Sequence, residues 1–292
     1  MKIAIGAAQF GMNYGISNIN GKTTQFEVSR ILKYAEKNEI NYIDTASKYG
    51  DSEQTIGSIV EQNKYNIITK TPTFHDENII RNIHLNELKK SFKQSLNLLK
   101  QNHIYGLLAH SCDDLLKPGG DILFEEMERL KLLGIVNKIG VSVYSSYQIE
   151  AILDKYTIDL IQLPLNIVDQ KILYDGSLLR LKEKGVEIHV RSVFLQGLLL
   201  MPLSKLPIYF SAIKPTLKKF HSYANSLSLT SLELAIAFVN NINQVDQVVV
   251  GFNSLEQLKE VFLASDVVLD PLDFSDLSIN DTNFTNPSMW KT

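Results

Sequence analysis

The sequence predicts an α/β chain folded as one (β/α)8 barrel, on three observations. Short β-branched runs alternate with longer segments of helical period, the pattern of βα units closing on a parallel sheet. Eight such units fit into 292 residues, a length that suits a barrel of roughly 250 residues with insertions. The strand candidates also read as nearly continuous apolar runs, as strands buried on both faces do. No Pro/Gly/Ser-rich tract divides the chain, so residues 1–292 are expected to form a single domain.

The predicted strands are Ile3 to Ala7, Tyr42 to Thr45, Asn66 to Lys70, Tyr105 to His110, Ile135 to Ser142, Asp159 to Pro164, Val186 to Ser192 and Gln247 to Gly251. Between the first two, Thr24-Gln25-Phe26-Glu27 is a capping-box pattern opening a helix to about Asn38. Asp51-Ser52-Glu53 places acids at the start of the next helix, where the dipole favours them. Leu85 to Lys100 carries Leu88, Phe92, Leu96 and Leu99 as a one-sided stripe, with Lys89, Lys90 and Lys93 on a solvated face. The longest interval between strands contains Pro202, Pro207 and Pro215. It reads as a loop-rich segment over about 196–220 followed by helices; with a tail over about 265–292 it is a candidate substrate lid.

Composition narrows the function. Twenty-nine Lys+Arg against 32 Asp+Glu give a net charge of −3, which argues against nucleic-acid and anionic-membrane partners. The single cysteine, Cys112, excludes an internal disulfide or a multi-cysteine metal site and points to a reducing cytoplasm. The N-terminal run does not read as a signal peptide, and no apolar stretch reaches membrane-spanning length.

Active sites of such barrels lie at the strand C-terminal ends. The second strand ends in Asp44 with Tyr49 just beyond it, the third ends in Lys70 and the fourth in His110. An acid, a phenol, an amine and an imidazole converging at one mouth suit carbonyl reduction, where negative charge develops on oxygen and needs a proton donor. Tyr49 is the expected donor, with Lys70 lowering its pKa, Asp44 anchoring Lys70, and His110 orienting the carbonyl or relaying the proton.

The segment Asp44-Thr45-Ala46-Ser47-Lys48-Tyr49-Gly50-Asp51-Ser52-Glu53, closing with Gly57, resembles the D-T-A-x-x-Y-G-x-S-E-x-x-x-G signature of the aldo-keto reductases. Ile68-Thr69-Lys70-Thr71 and Leu107-Leu108-Ala109-His110-Ser111 resemble the family's lysine and histidine strands, and further matches follow in order along nearly the whole chain.

The resemblance implies a nicotinamide cofactor lying across the barrel mouth and a small-molecule carbonyl substrate. NADPH is the family default, with NADH as the alternative. It implies that Gly6 and Ala7 lie beside the nicotinamide ribose with Asp44, and that Ser142 and Gln162 bind the carboxamide. The loop of Ser192, Val193, Phe194, Gln196 and Gly197 would clasp the diphosphate. Gly251, Asn253, Ser254 and Gln257, at a helix start suited to phosphate, would receive the adenosine end.

Three departures stand out. Val143 replaces a frequent Asn, Arg191 a frequent Tyr stacked under the nicotinamide, and the residues around Asn253, Ser254 and Gln257 replace the cations that often select a 2′-phosphate. The altered contacts at Val143 and Arg191 motivate an alternative reading, a cofactor-sensing subunit with little turnover. The segment Gln9 to Gly15 is similar to that of family members associated with bacterial surface-sugar pathways, which puts sugar derivatives among the candidate substrates.

Other signals are weaker. Gly6 to Gly11 has the spacing of a phosphate loop, but Met12 and Asn13 stand where Lys and Ser/Thr would be needed. His75, His84, His103, His189 and His221 show no metal-ligand spacing. No metal is expected, and Cys112 reads as a packing residue. Met12, Tyr14, Lys48 and Phe194 fall in mouth loops as candidates for shaping the pocket.

Overall fold

The computed structural model describes residues 2–269 and 272–290. Met1, Asp270, Pro271, Lys291 and Thr292, the last four within the expected lid tail, lie outside them. All eight predicted strands form: β1 Ile3–Gly6, β2 Tyr42–Asp44, β3 Asn66–Lys70, β4 Ile104–Ala109, β5 Val136–Ser142, β6 Leu160–Pro164, β7 Glu187–Arg191 and β8 Gln247–Gly251. They pair in parallel and in sequence order, and β8 closes on β1 to complete the barrel.

Helices follow the strands. Gln25–Lys37 is opened by Thr24, whose side chain accepts from the Glu27 amide. The expected return bond from Glu27 goes elsewhere: its carboxylate accepts from Leu255 N at 2.6 Å and from Arg30 at 2.8 Å. The stripe predicted from Leu85 belongs to a helix over Asn82–Leu99 that buries Leu88, Phe92 and Leu99. It starts earlier because the His84 ring accepts from the Arg81 amide and closes the helix start. In the proline-bearing interval, a 3-10 turn over Ile208–Ile213 leads into the helix Lys214–Ser226, with Pro215 in its first turn, where a missing N–H costs nothing. No helix among the described residues is long and apolar enough to cross a membrane.

One large apolar cluster fills the space between strands and helices. A smaller one, Ile68, Leu108 and Leu160 packed by Tyr42 and Tyr105, plugs the barrel. Below the plug, fully buried His189 sets Nε2 2.6 Å from Glu187 Oε1, and the Tyr105 hydroxyl donates to Glu187 at 2.7 Å. That contact ties His189 to its own strand. The plug positions the site. Side chains two residues apart on a strand share a face, so Lys70, His110 and Gln162 project into the barrel directly above Ile68, Leu108 and Leu160.

Candidate active site

The same period acts around the whole mouth. Gly6, Asp44, Lys70, His110, Ser142, Arg191 and Gly251, each at or just past the exit of its strand, line one cleft of about 510 Å3 together with Gln162 from the middle of β6. Tyr49, in the loop after β2, lines it too.

The centre is an ion pair. Lys70 Nζ donates to both Asp44 oxygens at 2.7 Å and to the Thr45 carbonyl at 3.0 Å, which occupies its three N–H bonds. Gln162 Nε2 donates to Asp44 Oδ1 at 2.7 Å. The Lys70 nitrogen stands 5.2 Å from the centre of the Tyr49 ring, and the His110 ring meets Tyr49 edge-on at 5.9 Å. The Tyr49 hydroxyl has no hydrogen-bond partner among the described residues.

Burial, and next the Asp44 charge, push the Tyr49 phenol well above its ordinary range, and Arg191 pulls it down. This differs from the sequence expectation that Lys70 would lower it. Lys70 brings the Asp44 carboxylate with it, and burial with that charge sets the direction, so the phenol stays protonated throughout the physiological range. Burial pulls Lys70 itself below its usual value, opposed by Asp44. His110 is held down to about 3 by burial first and then by the charges of Lys70, Lys48 and Arg191. Its imidazole is therefore neutral near pH 7, and Nδ1 is buried without a partner.

The signature around Tyr49 is scaffolding. Ser52 Oγ donates to the Ala7 carbonyl at 2.8 Å and lies 2.9 Å from Thr45 Oγ1, tying β2 to β1. Glu53 accepts from Thr69 Oγ1 at 2.6 Å and reaches β3. Gly50 adopts φ +56°, and a Cβ there would sit 2.3 Å from the Gly11 carbonyl oxygen, so only glycine lets the Tyr49 loop close on the turn after β1.

From this centre the cleft runs past β7 and β8. After Arg191 the chain turns through left-handed conformations at Ser192, Leu195, Gln196 and Gly197. The Val193, Phe194 and Gln196 amides find no acceptor among the described residues. Consecutive free N–H groups on a left-handed turn make a cradle for an anion. Ser17 donates to the Gln196 carbonyl from both its hydroxyl, at 3.2 Å, and its amide, at 3.4 Å, linking the loop to the segment after β1.

At the helix start at Leu255, three amides are already taken. Leu255 N donates to Glu27, Gln257 N to Ser254 Oγ at 3.2 Å, and Asn253 N to Gln257 Oε1 at 2.7 Å. The free amides of the β7 loop fall in the segment expected to clasp a diphosphate.

The sequence profile of the Aldo/keto reductase family matches residues 2–280. The chain belongs to this family. Among solved structures, the holo form of an aldo-keto reductase from Bacillus halodurans superposes with a TM-score of 0.73 at 21% identity, covering 96% of this chain and 93% of that one. An aldo-keto reductase of Pseudomonas aeruginosa gives 0.66 at 17% identity, over 90% of this chain and 89% of its own. No curated protein matches the sequence significantly. Family membership makes this chain an NAD(P)H-dependent oxidoreductase of aldo-keto reductase type, built on the barrel that the strand pattern predicted.

Within this aldo-keto reductase, the cleft gathers Asp44, Tyr49, Lys70 and His110, together with Gly6, Ala7, Ser142, Gln162, Arg191, Ser192, Val193, Phe194, Gln196, Gly197, Gly251, Asn253 and Gln257. Ser254 stands apart from the lining and caps the helix Leu255–Ala264. Tyr14 and Phe194 line the cleft, while Met12 and Lys48 do not. The Val143 side chain is fully buried in the core; its carbonyl accepts from Arg191 at 3.1 Å. Sequence reasoning missed Tyr144, Gln9, Leu232 and Glu260, all of which line the cleft, as do Pro287 and Ser288 of the expected lid tail. Tyr144 was open to discovery, because it lies two residues beyond Ser142. The Cys112 side chain is buried among core residues, as a packing role requires.

Proposed function

We propose that the chain reversibly reduces an aldehyde or ketone to an alcohol with NAD(P)H, and that Tyr49 supplies the proton. The observation that carries this reading is the joint placement of Tyr49, the Lys70–Asp44 pair and His110 at one end of a long cleft whose β7 loop offers free amides. The residues fit a dinucleotide. Ser142 and Gln162 would hold the carboxamide, Gly6 and Ala7 the adjoining ribose, the amides of Val193, Phe194 and Gln196 the diphosphate, and Asn253 with Gln257 the adenosine end. When bound, the reduced nicotinamide supplies the hydride.

The remaining chemistry belongs to the protein. A neutral phenol with an unpartnered hydroxyl facing the cleft is ready to bond the carbonyl oxygen and to give up its proton as negative charge grows there. Hydride on carbon and the Tyr49 proton on oxygen yield the alcohol and a tyrosinate, which solvent reprotonates. The cation of Arg191, which already lowers the Tyr49 pKa, stabilises that transient anion in a partly dry site. Neutral His110 offers one ring N–H, which suits holding the carbonyl oxygen better than relaying a proton as imidazolium. Tyr14, Tyr144 and Phe194 give the mouth an aromatic wall with polar tips. This supports a polar carbonyl compound such as a sugar derivative. The segments around Leu200 and around Pro287 border the cleft, which supports their role as a lid. The single buried Cys112 supports a cytoplasmic setting.

The test is spectrophotometric. NADPH and NADH are titrated separately, and loss of reduced-nicotinamide absorbance is followed across a panel of aldehydes and ketones that includes keto sugars. Turnover with any of them supports the reading. Tight binding with no turnover across the panel would support the cofactor-sensing alternative.

A further inference from the structure

We propose that Arg191 poises the bound nicotinamide toward its reduced form, so that the chain holds NAD(P)H more tightly than NAD(P)+ and favours carbonyl reduction. The inference rests on the carbonyl-reductase reading above and adds a direction to it.

Arg191 ends β7 and is fixed on three sides. Nη2 donates to the Val143 carbonyl at 3.1 Å, Nη1 to Ser192 Oγ at 3.3 Å, and the guanidinium lies 4.2 Å from the centre of the Tyr144 ring. Every one of these partners is neutral. The carboxylate at the centre of the site, Asp44, is bonded on both oxygens by Lys70 and again by Gln162. The next acid along, Asp169, stands 3.3 Å from Lys171. Lys70 and Asp44 thus offset each other in large part, and Arg191 adds a cation at the chemical end of the cleft that none of its own bonding partners offsets. Its field reaches the reacting groups, since it lowers the pKa of both Tyr49 and His110.

A ring that passes hydride to a carbonyl bonded to Tyr49 must lie within a few ångströms of that carbonyl, inside the same field. Giving up hydride turns the ring from neutral to cationic. A guanidinium held in place by Val143, Ser192 and Tyr144 cannot swing away from the new positive charge, so it penalises the oxidised ring and leaves the reduced ring untouched. A tyrosine at the same position would exert no such bias.

The experiment measures dissociation constants of NADPH, NADP+, NADH and NAD+ by calorimetry for the wild type, Arg191→Gln and Arg191→Lys. The wild type is expected to bind the reduced form of its preferred dinucleotide about tenfold or more tightly than the oxidised form. Arg191→Gln removes most of that ratio, and Arg191→Lys, which keeps the charge, retains most of it. Because a ratio is compared, general damage to the cleft cancels. An unchanged ratio in Arg191→Gln overturns the proposal and leaves the reductase reading standing, as does equal or tighter binding of the oxidised form by the wild type. Failure of the wild type to bind either form would remove the reductase reading itself.

Discussion

Replacing Asp44 with alanine removes the partner of a buried ammonium. The Lys70 and Asp44 side chains are 1% and 5% exposed, and the carboxylate supplies two of the three acceptors around Nζ. Breaking a buried ion pair on one side costs about 3–5 kcal/mol. For a chain of this size each kcal/mol moves the melting temperature by about 2–4 °C, so Asp44→Ala should lower it by roughly 6–20 °C.

The loss should also depend on pH. Burial already pulls Lys70 below its ordinary value, and Asp44 opposes that pull. Without Asp44 the folded-state value falls further, while the unfolded value stays near 10.5. Between the two, the unfolded chain binds more protons, so stability of the variant rises with pH by up to about 1.4 kcal/mol per unit and its deficit narrows on the alkaline side. Urea denaturation at several pH values measures this. The double variant Asp44→Ala/Lys70→Met removes the stranded charge and should recover about 2 kcal/mol or more of the single variant's loss. A deficit below about 1 kcal/mol that does not change with pH would refute the reasoning.

Two further perturbations follow from the same geometry. His110 is held down to about 3 in the folded chain against an ordinary value of 6.5; the unfolded state therefore binds more protons between these values, and stability falls as pH drops below about 6.5. His110→Asn should flatten that acid limb, read as melting temperature from pH 7 to pH 4.5. At Gly197, φ is +89° and a Cβ would stand 1.8 Å from Ser17 Oγ. Gly197→Ala should weaken dinucleotide binding by about tenfold or more through distortion of the loop, measured by calorimetry, while the far-ultraviolet spectrum of the barrel is kept.

The strands were legible because a barrel buries both of their faces, which leaves apolar runs in the sequence. Asp44, Lys70 and His110 were legible for the related reason that a polar residue closing such a run has one place to go, the mouth. What was not legible depends on distance along the chain or on backbone alone. Pro287 and Ser288 reach the cleft because Trp290 packs edge-on against Phe210 at 4.9 Å and Tyr209 donates to the Asn283 carbonyl at 2.9 Å. The sequence marked the tail as a candidate lid, but nothing near Pro287 says which of its residues reach the cleft or through which contacts. The free amides of the β7 loop carry no side-chain signature, so only the family resemblance pointed to that loop for the diphosphate, with the adenosine end at the Leu255 helix. At that helix start Glu27, from more than two hundred residues upstream, takes the Leu255 amide. What the sequence did not show about Tyr49 is the weight of burial and of the Asp44 carboxylate that accompanies Lys70, which together set the direction of its shift.

The most direct measurement is turnover of Tyr49→Phe on the best carbonyl substrate of the wild type. Loss of the phenolic proton should slow it by about 10²–10⁴-fold while the reduced dinucleotide still binds within about threefold of its wild-type affinity. Turnover of the variant within about threefold of the wild type would contradict the assignment of Tyr49 as the proton donor.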